Sequence, residues 1–114
     1  MRKLLAAATL ALVLSGCKTT EPLYYHGEYN TAVYSYFKGD DTTIDEQIMA
    51  MNQLIEKASA ANRPVAPGVH AHLGMLYFES GNADLGRQHF LTEKSLFPES
   101  SQYIDFMLKS AEGA

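Results

Sequence analysis

The chain has 114 residues, with nine Lys and Arg against thirteen Asp and Glu, a formal net charge of −4 and a single cysteine. That length holds one modest core, and the acidic balance argues against nucleic acid as a partner and against electrostatic adhesion to anionic headgroups. With one cysteine no intrachain disulfide framework exists.

In chain order, the first element reads as an address. Met1, Arg2 and Lys3 form a positive end, and Leu4 to Leu14 is an apolar run too short to span a bilayer. Leu14, Ser15, Gly16 and Cys17 then match a bacterial lipobox, so residues 1–16 are expected to be a lipoprotein signal peptide cleaved before Cys17. Resemblance to bacterial lipoproteins implies that Cys17 carries a thioether-linked diacylglycerol and an N-acyl chain; the alternative is a free thiol behind an ordinary secretory signal. Several acyl chains hold a protein on a membrane where one binds only marginally. Lys18, in place of Asp, at the second position of the processed chain favours the outer membrane by the enteric sorting pattern. Loss of Arg2 and Lys3 leaves seven cations against thirteen carboxylates, so the tether and not a basic face would hold the domain at the membrane.

Residues 17–23 read as the lipidated N-terminus and a short polar linker, and residues 24–112 as one helical domain. Tyr25, Tyr29, Ala32, Val33 and Tyr36 recur at helical spacing up to Lys38, and Gly39-Asp40-Asp41 breaks the pattern. Thr43 with Glu46 three residues on predicts a capping box. Behind it Ile44, Ile48, Met51, Leu54, Ile55 and Ala58 form the apolar stripe of a second helix. Pro64 and Pro67 stop that helix, and Pro67 is placed to open a third over about Gly68 to Ser80. Gly81-Asn82 supplies a left-handed turn and a new N-cap for a fourth helix running to about Leu96, which Pro98 ends. Ser100 is then expected to cap a last amphipathic helix carrying Tyr103, Ile104, Met107 and Leu108. No period-two run occurs, so the expected fold class is all-α.

Leu73, Gly74, Tyr77, Gly81, Gly86, Phe90 and Pro98 fall on the spacing of a tetratricopeptide repeat. Leu73 and Tyr77 would meet Phe90, while Gly74 and Gly86 let two backbones approach. His70 and Glu93 depart from that pattern, and Glu93 is expected to loosen the crossing. Tyr36-Phe37 before Gly39 echoes Tyr77-Phe78 before Gly81, which suggests a degenerate first repeat, a clear second one and a C-terminal capping helix.

A resemblance covers nearly the whole processed chain. It rests on Cys17, on Tyr25-His26-Gly27-Glu28-Tyr29 with Tyr34-Ser35-Tyr36, on Val65-Ala66-Pro67-Gly68-Val69 leading into Leu73-Gly74, and on Gly81-Asn82 through Phe90 to Ser100. These segments resemble the small bacterial lipoproteins of the domain of unknown function 4810 family, with His26 standing where that family usually has tryptophan. The resemblance implies an envelope lipoprotein, often paired with lipoproteins resembling the curli secretion pore protein and peptidoglycan-synthase activators; it implies no activity.

Catalysis is not expected. His70 and His72 are two apart, about 200° around a helix, and cannot chelate as an i, i+4 pair does. His89 lies on another helix, and no phosphate loop or nucleophile signature is present. Asp40, Asp41, Asp45 and Glu46 lack calcium-loop spacing and suit a helix start. No metal, small-molecule substrate or cofactor beyond the lipid on Cys17 is therefore expected.

The sharper expectation is a protein-binding face. Offset from the packing stripes, Tyr34, Phe37, Met75 and Phe78, with His72 at the margin, would form one apolar strip; Phe37 and Phe78 could equally finish the core. Together these readings predict an outer-membrane lipoprotein facing the periplasm, acting by contact as an adaptor for another envelope protein, or alternatively a homo-oligomeric structural lipoprotein.

Overall fold

The structure, a computed structural model, describes residues 22–113. Cys17 and the signal segment lie outside these residues. Among the described residues five α-helices follow one another: α1 (Tyr29–Lys38), α2 (Ile44–Ala60), α3 (Val69–Glu79), α4 (Ala83–Leu96) and, after a 3₁₀ turn over Pro98–Ser100, α5 (Ser101–Glu112). Among the described residues the only extended pairing is an isolated parallel bridge between Tyr25 and Val65. The domain is all-helical.

Local chemistry explains most boundaries. Thr43 and Glu46 make the expected capping box: the Glu46 amide donates to the Thr43 hydroxyl at 3.2 Å, and the Thr43 amide donates to the Glu46 carboxylate at 2.8 Å. Gly39 closes α1 in the left-handed region, with φ +67°, and Gly81 turns the chain after α3 with φ +86°. Asn82 caps α4 by accepting from the Leu85 amide at 3.3 Å.

Two boundaries differ from the sequence reading, and a third differs in its capping. Tyr25 is not on the first helix: its amide donates to Pro64 O at 2.8 Å and its carbonyl accepts from the Ala66 amide at 3.2 Å, so α1 starts a turn later. Pro67 does not open α3; Gly68, at φ +100°, is the N-cap and Pro67 precedes it. Ser100 stands at the N-cap position of α5 as expected, but its hydroxyl donates back to Phe97 O at 2.6 Å instead of accepting from the helix.

The core runs along the middle of the stack. Met51, Leu54 and Ala58 of α2 pack with Val69, Leu73 and Leu76 of α3, Ala32 of α1 and the connector residues Val65 and Ala66. Phe90 and Ile104 are buried on the α4 and α5 side. Helices α3 and α4 approach closely through two glycines. A Cβ on Gly74 would meet the Phe90 ring at 2.5 Å and the Gly86 carbonyl oxygen at 2.9 Å, and one on Gly86 would meet the Phe78 ring at 2.6 Å. The two glycines therefore serve the close approach that their spacing predicts. The ring beside Phe90 is Phe78, at 5.3 Å between centroids, whereas Tyr77 lies along His89.

Glu93 does not loosen this crossing. Its buried carboxylate accepts from the Gly68 amide at 2.6 Å and the Ala71 amide at 3.3 Å, so α4 supplies the cap for the first turn of α3. Burial raises its pKa, and the backbone donors of Gly68, Ala71 and His70 work in the opposite direction.

Candidate functional site

The stacking of α1, α3 and α5 leaves a groove of about 200 Å³. Val33 and Phe37 of α1 form one wall, Ala71 and Met75 of α3 the other, and Tyr103 of α5 one end. Near Gly68 the Tyr29 ring closes it, where a Cβ would collide with the phenol hydroxyl. Burial, with Glu93 and then Tyr103 as further causes, raises the Tyr29 pKa, so that hydroxyl stays neutral across the physiological range. The lining is aliphatic and aromatic, suited to apolar side chains.

A polar tie sets the floor. His72 is buried, and its Nε2 lies 2.9 Å from Gln47 Oε1, while Gln47 Nε2 donates to Ala32 O at 2.8 Å. With the amide oriented by Ala32, His72 must donate from Nε2. Gln47 of α2 thus ties α1, through the Ala32 carbonyl, to α3, through His72. The rings of Tyr29 and Tyr36 stand edge-on to His72, with centroids 6.5 and 5.4 Å away. The Tyr36 hydroxyl donates to Glu79, the first cause of a pKa pushed up to about 12, and this bond joins the C-terminal ends of α1 and α3. Burial lowers the pKa of His72, with Glu79 acting in the opposite direction.

Of the five residues singled out in the sequence, the groove brings together Phe37, Met75 and His72. Phe37 is 76% exposed, and His72 forms floor rather than margin. Tyr34 is 63% exposed but lies outside the groove, under the Lys38 ammonium at 5.5 Å from its ring centroid. Phe78 packs against Phe90 over Gly86 and belongs to the α3–α4 contact. Tyr29, Val33 and Tyr103 were missed as groove residues. The first two lie on the stripe read as core, and Tyr103 on the stripe of the last helix.

Two other hollows flank α2. One, of about 110 Å³, lies between Tyr25 and Leu54, and the other, of about 180 Å³, between Thr31 and Gln47. Each involves α2 and one neighbouring segment, whereas the groove gathers three helices. Among the described residues no cluster of three or more His, Cys, Asp or Glu could hold a metal, and no helix is long and apolar enough to cross a membrane.

A family model described as Domain of unknown function (DUF4810) matches residues 23–107. The chain belongs to this family. The DUF4810 match runs from just ahead of the Tyr25 bridge into α5, so it includes every helix that lines the groove. Neither the curated proteins nor the solved structures give a match.

Proposed function

We propose that this DUF4810 protein is a lipid-anchored adaptor of the bacterial outer membrane. Its helical domain faces the periplasm and binds another envelope protein without catalysis. The observation that carries this reading is the groove between α1, α3 and α5, where Phe37 stands exposed opposite Met75 and Tyr103 on a floor held by the His72–Gln47–Ala32 tie. An apolar cleft on a polar scaffold suits a protein segment docking by its side chains.

The anchor rests on the lipobox at Leu14 to Cys17, and the repeat-like reading on two successive hairpins, each turning at a left-handed glycine. In that reading α1–α2 and α3–α4 are tetratricopeptide-like units and α5 is the cap. The partner is another envelope protein, a lipoprotein in the reading carried from the family resemblance. No nucleic acid, small-molecule substrate or cofactor beyond the Cys17 lipid enters it.

A photo-crosslinking residue at Phe37 in the cell, compared with one at exposed Gln88 on α4, tests the surface. One heterologous envelope protein captured at Phe37 and missing at Gln88 supports the adaptor. Capture of the chain by itself at Phe37 alone transfers the groove to a homo-oligomer, and equal labelling at both positions removes it from the account. For the anchor, intact mass of the purified protein should show residues 1–16 removed and acyl chains added; Cys17→Ser should abolish both changes.

A further inference from the structure

One cluster takes no part in the groove. His70 of α3 and His89 of α4 face each other with Nδ1 to Nδ1 at 3.0 Å. Their ring planes differ by only 18°, yet the centroids are 5.3 Å apart. That separation is the N···N distance plus two ring radii, so the rings meet edge to edge in nearly one plane rather than face to face. The contact is therefore a head-on N–H···N hydrogen bond. Both rings are otherwise closed in by protein: His70 is buried and His89 half-buried, with the Tyr77 ring lying nearly parallel to His89 at 5.4 Å. The Tyr77 hydroxyl accepts from Asn52 of α2 at 3.1 Å. Glu93, one turn along α4, directs its carboxylate to the backbone amides at the start of α3. Among the described residues neither imidazole hydrogen-bonds any other side chain.

We propose that His70 and His89 form a latch that closes α3 on α4 while the pair carries at most one added proton and opens when it takes a second. In the neutral pair one ring donates its Nδ1–H to the bare Nδ1 of the other, whose own proton is on Nε2. A first added proton goes to the Nε2 of the donor ring, and the contact becomes a charge-assisted imidazolium–imidazole bond. The second has only the acceptor's Nδ1 left. Placing it there destroys the acceptor and sets two charged N–H groups against each other at 3.0 Å. His72 behaves differently, because it already donates from Nε2 to Gln47 and keeps that bond when its Nδ1 is protonated.

Burial, with His89 as a second cause, takes the pKa of His70 from 6.5 down to about 4, and burial lowers that of His89. Both shifts mean that the opened form binds more protons. Latch stability is therefore complete above about 6.5; as the pH falls the charge-assisted bond offsets the burial cost of the first proton, and the latch is lost with the second as the pH approaches about 4. Opening would move the first turn of α3, and with it Ala71 on the groove wall, so the latch would tune the site under the reading given above.

The test is imidazole NMR of the full chain, labelled at histidine and held in detergent micelles, from pH 7.5 to pH 4, with no partner present. At neutral pH the spectra should show one ring of the pair protonated at Nδ1 and the other at Nε2. Cross-peaks between Phe78 and Gly86 should survive the first protonation and vanish with the second. In His89→Gln, whose amide can replace the bond and cannot take the proton, those cross-peaks should persist to pH 4. Two rings that both become imidazolium with the cross-peaks intact would overturn the latch, as would a His89→Gln protein that opens at the wild-type pH. Because no partner is involved, crosslinking at Phe37 can fail while the latch holds, and the reverse.

Discussion

The helix pairs α1–α2 and α3–α4 use the same turn device and are held together in different ways. In α3–α4, Gly74 and Gly86 bring the backbones together, Phe78 and Phe90 interlock over them, and the first turn of α3 is capped by Glu93 from α4. In α1–α2 the helix start is capped locally by Thr43 and Glu46, and the residue that echoes Phe78, Phe37, is exposed. Similar short motifs thus serve different ends: an aromatic ahead of a left-handed glycine packs half-buried between helices where a glycine on the facing helix makes room for it, and stands exposed where none does. The α3–α4 pair is interlocked across its glycines, whereas α1 presents the exposed Phe37 to the groove.

This contrast can be broken in order of expected effect. Phe90→Ala should cost the most, about 3–5 kcal/mol, since it empties a fully buried position between helices; urea unfolding measures it. Gly74→Ala should follow, at roughly 1–3 kcal/mol or more, because the new methyl meets a backbone oxygen as well as a ring. If thermal melting shows Gly74→Ala to be neutral, the helices are not as close as described. Glu93→Ala leaves the amides at the start of α3 without their acceptor and should cost on the order of 1–3 kcal/mol. Thr43→Ala, removing a local cap, should cost about 1 kcal/mol. Amide exchange would separate the last two, with Glu93→Ala raising exchange at the start of α3 and Thr43→Ala raising it at the start of α2. At the small end, Phe37→Ser should change stability by less than about 0.5 kcal/mol. A larger loss in its melting curve would make Phe37 part of the core and weaken the groove.

What the sequence made legible divides along the same line. The capping box at Thr43, the turn at Gly81-Asn82 and the close approach at Gly74 and Gly86 could all be read, because each is a local steric or hydrogen-bonding requirement met by neighbouring residues or repeat spacing. Glu93 was misread because its partners lie 22 and 25 residues away, and a buried carboxylate that caps a distant helix leaves no local signature. The His72–Gln47 tie was hidden for the same reason, as was the meeting of His70 with His89 across two helices. Of the candidate strip, Phe37 and Met75 do face one groove, but helical offset alone could not tell that Phe78 would find the space over Gly86. Nor could it assign Tyr29 and Val33 to a groove wall, since which part of an apolar stripe stays open depends on where α5 stops covering it.

The Tyr25–Val65 bridge has a mechanical side. The backbone around Tyr25 is stitched to Pro64 and Ala66, and the Arg63 guanidinium holds the carbonyls of Pro22 and Tyr24 at 2.7 and 3.0 Å. A pull on the chain ahead of Pro22 therefore reaches the connector between α2 and α3 before it reaches α1. That load would be shared by several hydrogen bonds anchored beside the buried Val65 and Ala66, leaving α1 and the groove wall slack until they give way.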